Sequence, residues 1–120
     1  MRYKLEIDSS DLKALRRKVR DLRAIDDKGL SGALKAAGAA ASNDAKRNAP
    51  VDTGNLRGQI GFERSADGKS VEVFANAPYS GYVEFGTRFQ RAQPYFRPAI
   101  IKAVRQLNAD LTRLINKAIR

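Results

Sequence analysis

Leu56-Arg57-Gly58-Gln59-Ile60-Gly61-Phe62-Glu63-Arg64-Ser65-Ala66-Asp67-Gly68-Lys69-Ser70-Val71-Glu72-Val73-Phe74-Ala75 is the stretch that decides the fold. Val71, Val73 and Ala75 alternate with larger or polar residues, the period of a strand with one buried face. Ser65 to Lys69 is turn chemistry and connects that strand to the one before it. Leu56, Ile60 and Phe62 are expected on one face of the earlier strand. Gly58 shares that face and Gly61 lies on the other, which predicts a bulge or a close backbone approach. The stretch is an antiparallel hairpin, so the chain contains a sheet.

Working outward, Tyr3, Leu5 and Ile7 alternate with Lys4 and Glu6 and predict a short strand. Asp8-Ser9-Ser10 offers helix-capping side chains. From Asp11 to about Ile25, Leu12, Leu15, Val19 and Leu22 form one stripe on a first helix. Asp26 to Gly29 is expected to be a turn. A second helix is predicted from Leu30 to Asn48, with contacts through Leu30, Ala33, Leu34, Ala36, Ala37, Ala40, Ala41 and Ala45. Small side chains of this kind let another element approach closely. Pro50 ends the helix by forcing the residue before it out of helical geometry.

Beyond the hairpin, Asn76-Ala77-Pro78 stops the second strand. Tyr79 to Thr87 is a compact aromatic segment, a short helix or turn. Phe89 to Gln93 is an exposed basic loop. Pro94 and Pro98 introduce a last helix whose stripe is Ile100, Val104, Leu107, Leu111, Leu114 and Ala118. The expected fold is α+β: one domain over residues 1–120, a small antiparallel sheet packed by about three helices.

Composition narrows the function. The 120 residues include 23 Lys plus Arg against 13 Asp plus Glu, a formal charge of +10, with no His and no Cys. There is no thiol nucleophile, no thiolate or imidazole metal site and no His-based proton relay. No cofactor or metal is expected, and no enzyme activity. The amino-terminal residues have no apolar core of the signal-peptide kind, and no run of apolar residues is long enough for a bilayer. A soluble protein made in the cytoplasm, drawn to anionic partners, is the expectation.

Four local patterns bear on chemistry. Asp52-Thr53-Gly54 spells the triplet of aspartic proteases, but it follows a helix end and a proline rather than an apolar strand, so it is read as a turn. Gly81 to Arg88 has the spacing of a phosphate loop without its lysine, and bulky Tyr82, Val83 and Phe85 suit packing better. Glu84, set between Val83 and Phe85, is either a perturbed acid or a residue held by an Arg or by backbone amides. A glycosidase pair of Glu84 with Glu63 or Glu72 has nothing but spacing behind it. The excess of Arg and Lys near exposed aromatics is either a nucleic-acid surface or a solvated face over a core.

Three motifs occur in order: Asn48-Ala49-Pro50-Val51-Asp52-Thr53-Gly54-Asn55-Leu56-Arg57, then Ala77-Pro78-Tyr79 with Tyr82-Val83-Glu84-Phe85-Gly86-Thr87, then Gln93-Pro94-Tyr95-Phe96-Arg97-Pro98-Ala99. Together they resemble the tail-component (tail-completion) family of long-tailed bacteriophages and prophages. The resemblance runs over residues 30–120 and leaves 1–28 as the variable strand and helix. It implies a virion protein of the neck or head-proximal tail, without catalysis, formed in the host cytoplasm and assembled as a ring, commonly sixfold. Tail-tube and head-connector proteins are the implied partners, with non-specific contact to phage DNA and none to membrane. Pro50, Asp52, Thr53, Gly54, Leu56, Arg57, Tyr79, Tyr82, Glu84, Phe85, Gly86, Thr87, Pro94, Phe96 and Pro98 become scaffold. Within that set, Gly86 takes an unusual backbone angle and Glu84 pairs with an Arg. Arg88, Phe89, Arg91, Tyr95 and Arg97 become subunit or partner contacts, with Glu63, Asp67 and Glu72 as their acidic complements.

Overall fold

The computed structural model describes residues 1–6, 27–50 and 55–119. Its elements are β1 (Arg2–Glu6), α1 (Asp27–Asn48), a one-turn helix α2 (Asn55–Gly58), β2 (Ile60–Arg64), β3 (Ser70–Ala75), α3 (Ser80–Phe85) and α4 (Arg97–Ile119). The fold is α+β in a single domain, as the hairpin requires. The first predicted helix, Asp11 to Ile25, and the turn at Asp52 to Gly54 lie outside the described residues.

β3 is the middle strand of a three-stranded antiparallel sheet of order β1-β3-β2. It earns that place through Val71, Val73 and Ala75, whose side chains are all enclosed. β1 pairs with it from Arg2 opposite Phe74 to Glu6 opposite Ser70. β2 pairs from Ile60 opposite Ala75 to Arg64 opposite Val71. Leu5 and Ile60 complete the buried face, against which α1 lies, and α4 packs along α1. The other face carries Arg2, Lys4, Glu63, Glu72 and Phe74. There Glu63 stands directly opposite Glu72. Like charges in that position repel, and the Arg2 guanidinium answers them with a 2.6 Å bond to Glu72.

The hairpin turn is held by the Asp67 carboxylate, which accepts bonds from the Ser65 hydroxyl and the Lys69 N–H. Those bonds draw its pKa below the usual carboxylate value. Gly68 supplies the positive φ of 72° that this turn needs.

Three local expectations are corrected. Leu56 is buried on α2 and not on a strand, because Gln59 N–H bonds to the Leu56 carbonyl at 3.3 Å and closes a helical turn. Gly58 therefore makes no bulge. Gly61 is the close approach: a Cβ there would stand 2.9 Å from the Phe74 ring. α1 starts at Asp27, since a glycine such as Gly29 is tolerated within a helix at about 1 kcal/mol relative to Ala. Ala36 and Ala40 face solvent. The buried stripe of α1 is Leu30, Leu34, Ala37, Gly38, Ala41, Ser42 and Ala45.

Gly38 marks where helix meets sheet. A Cβ at this position would collide with Val71 Cγ1 and lie 3.0 Å from Phe62 Cδ2. Val71 is enclosed and β-branched, so its rotamer cannot swing away freely. Gly32 on the same helix is exposed with open space beside it. The same substitution should therefore have opposite signs at the two sites. Gly38→Ala is expected to destabilise by about 1–3 kcal/mol through overpacking. Gly32→Ala is expected to stabilise by up to about 1 kcal/mol through helix propensity. Urea unfolding midpoints of the two variants provide the check.

Candidate functional site

α3 and α4 meet end to end through one carboxylate. Glu84 is 2% exposed although it sits in a short surface helix. Its Oε1 accepts the Phe96 N–H at 2.7 Å, the Tyr95 N–H at 3.2 Å and the Arg97 N–H at 3.3 Å. The first N–H groups of a helix have no intrahelical partner and carry partial positive charge. Glu84 satisfies the donors at the start of α4, and Pro98 removes another donor from its first turn. The expected Arg partner is thus replaced by backbone amides. Tyr95 is fully buried beneath this junction, and its hydroxyl donates to the Ser80 carbonyl at 3.4 Å. Burial pushes its phenol pKa above 10.0.

The chain between the two helices is pinned at both ends. Gln93 N–H bonds to the Val83 carbonyl at 2.8 Å. The Thr87 hydroxyl accepts the N–H groups of Phe89 and Gln90 at 3.1 Å each, while Thr87 and Gln90 also exchange backbone bonds. Gly86 turns the chain at φ 78° and ψ 173°, a region essentially reserved for glycine. A Cβ at Gly86 would stand 2.7 Å from the Ala92 nitrogen. Gly86, Thr87 and Glu84 therefore act as the scaffold of one loop.

That scaffold holds its apolar side chains outward. Phe89 is 84% exposed, Tyr82 66% and Phe85 61%. Arg88 lies over the Phe89 ring at 5.1 Å, and Arg97 over Phe85 at 5.8 Å. Arg91 and Pro94 are exposed beside them. Four of the five expected contact residues share this surface. Tyr95 does not: it belongs to the core, together with Phe96, which its ring meets edge-on at 6.5 Å between centroids.

The earlier motif is tied to the same region. Arg57 Nε donates to the Lys46 carbonyl at 2.9 Å near the end of α1. Asn55 reaches the Tyr79 hydroxyl at 3.2 Å. Leu56 is buried and Pro50 half-buried. Ser80 was not foreseen as a site residue. Its hydroxyl is buried and without a hydrogen-bond partner among the described residues.

Glu84 is enclosed by the amides it accepts from, away from any substrate. Glu72 is bonded to Arg2, and Asp67 closes its own turn. Among the described residues no group of His, Cys, Asp or Glu could hold a metal ion.

A family model described as the Bacteriophage HK97-gp10 tail-component matches residues 13–86, more than half of the chain. The match takes in α1 through α3 and ends at Gly86, before the Gln93 to Ala99 motif and α4. No curated protein and no solved structure matches.

Two outcomes follow from the geometry. Glu84→Ala orphans buried N–H groups at the start of α4 and should cost about 3 kcal/mol or more, at about 1–3 kcal/mol per unsatisfied group. Glu84→Gln keeps an acceptor and should cost less; urea melts decide between them. For Tyr95, a folded-state pKa raised above 10.0 means its contribution is complete below pH 10 and is lost as pH rises beyond it. A phenolate absorbance step should therefore coincide with loss of helical signal at alkaline pH, and Tyr95→Phe should remove that step.

Proposed function

This chain belongs to the HK97-gp10-like phage tail-component family, and we propose from that premise that it is a structural subunit of the neck of a long-tailed phage. In this reading it sits at the head-proximal end of the tail, completes the tube and joins it to the head. It works as a ring, sixfold to match the symmetry of such tubes, after formation in the host cytoplasm. Its partners are other copies of itself, tail-tube protein and head-connector protein.

The observation that carries this reading is the loop from Gly86 to Pro94. A monomer gains nothing from holding Phe89, Tyr82 and Phe85 in water. An exposed apolar cluster of this kind marks an interaction surface. Here it is rigidly presented by a buried carboxylate and a glycine-only turn, the construction expected of a docking surface. No helix among the described residues is long and apolar enough to cross a membrane, in keeping with a particle-borne role.

The test is genetic and visual. In the phage that encodes it, Arg88→Glu combined with Arg91→Glu should leave a folded protein but lower infectious yield at least a hundredfold. Electron micrographs should then show filled heads and free tails side by side. Normal yield from the double variant would remove the contact role. Purified protein should bind DNA only weakly, without sequence preference and with steep loss as salt rises. Sub-micromolar affinity for one sequence at physiological salt would instead make it a nucleic-acid-binding module.

A further inference from the structure

We infer that the surface formed by Tyr82, Phe85, Arg88, Phe89, Arg91 and Arg97 docks an acidic face of a different protein, rather than a second copy of this chain or a nucleic acid. The inference rests on the virion reading above and names the partner for its contact surface.

The first argument is charge. Between Tyr79 and Arg97 the one acid is Glu84, and it faces inward. None of Arg88, Arg91 and Arg97 has an ion-pair partner among the described residues. Desolvating three guanidiniums without counter-charges is strongly unfavourable, so the occupant must bring carboxylates or phosphates.

A second copy is poorly equipped to do so. Of the carboxylates whose side chains are described, most are already engaged at home: Glu72 by Arg2, Glu6 by Lys4, Asp44 by Arg47 and Lys102, and Asp110 by Arg113. Asp67 and Glu84 accept backbone N–H groups. Glu63 alone among them stands without a bonded partner. A net charge of +10 adds repulsion between copies. Within the acidic set Glu63, Asp67 and Glu72, two members already have partners in their own chain. Ring contacts between copies then lie elsewhere on the subunit.

The second argument separates protein from nucleic acid. The chain has no Lys between Lys69 and Lys102, so this surface combines Arg with Tyr and Phe and omits Lys. That is the composition of protein–protein hot spots, where Arg and aromatics are enriched and Lys depleted. Duplex DNA offers phosphates but no open base faces on which three aromatic rings could stack. A shallow depression lined by Pro78, Gly81, Tyr82, Phe85 and Gly86 adds a seat for an apolar side chain. The fitting partner surface is an apolar residue ringed by Asp and Glu. Because Gly86 and Thr87 already fix the loop, docking orders little chain.

The experiment places photoreactive benzoyl-phenylalanine at Phe89 and, separately, at Tyr82, and irradiates purified phage particles. The expected adduct at both positions joins this chain to one different virion protein, at a peptide in which Asp and Glu outnumber Lys and Arg. That protein, made alone, should bind the purified chain, and Arg88→Glu with Arg91→Glu should weaken the binding at least tenfold. An adduct to a second copy, to DNA, or to nothing in particles that contain the chain overturns the inference and leaves the virion reading standing. An unchanged affinity in the double variant overturns it as well. Absence of the chain from particles overturns the virion reading, and the inference falls with it.

Discussion

Everything at the α3–α4 end of this molecule depends on one buried carboxylate meeting the start of one helix. A six-residue helix such as α3 has too few internal hydrogen bonds to persist alone. The amino end of α4 has donors with no partner of their own. Each supplies what the other lacks, and Glu84 is the link. The bond set is local in space but joins elements separated by a loop, so α3, the loop and α4 form one unit. Tyr95, packed under the same junction, keeps water away from it and makes each of those bonds worth more.

The unit stands against a conventional interior. β3 donates a wholly apolar row to the core, α1 approaches it through Gly38, and α4 is laid along α1. Rigidity of that layer is what lets the surface above it be so apolar. A flexible loop carrying Phe89 would fold back over the hydrophobic groups beside it. This one is held off by its turn, with guanidiniums laid on its rings. The proposed role as an assembly subunit asks only for shape and charge, which a chain without His or Cys can supply.

The sequence disclosed those features that carry a period. Val71, Val73 and Ala75 alternate, and Ile100, Val104 and Leu107 step at helical spacing, so β3 and α4 could be read directly. A one-turn helix has no period, so by sequence Leu56 reads as part of the neighbouring strand. Tyr95 and Phe89 belong to the same aperiodic aromatic segment, one enclosed and the other exposed, and only the packing beneath α3 separates them. The partner of Glu84 is backbone, which has no side-chain signature. A signal did exist, in an acid within an apolar run followed by Pro98 at a helix start. Gly38 also left a trace, since a glycine inside an alanine-rich helix has a cost that must be offset by something.

The sheet's order has a consequence for synthesis in the cell. β1 leaves the ribosome before β2 and β3, yet its hydrogen-bonding partner is β3, and Arg2 pairs with Phe74. Until β3 has been made that strand waits, because no other strand among the described residues pairs with it. β2 and β3, by contrast, are neighbours joined by a short turn and can close as soon as Ala75 emerges. The waiting strand is therefore one that water must tolerate. Arg2, Lys4 and Glu6 keep it charged on one side until the hairpin exists to take it in. β1 is thus the last strand of the sheet to be set in place.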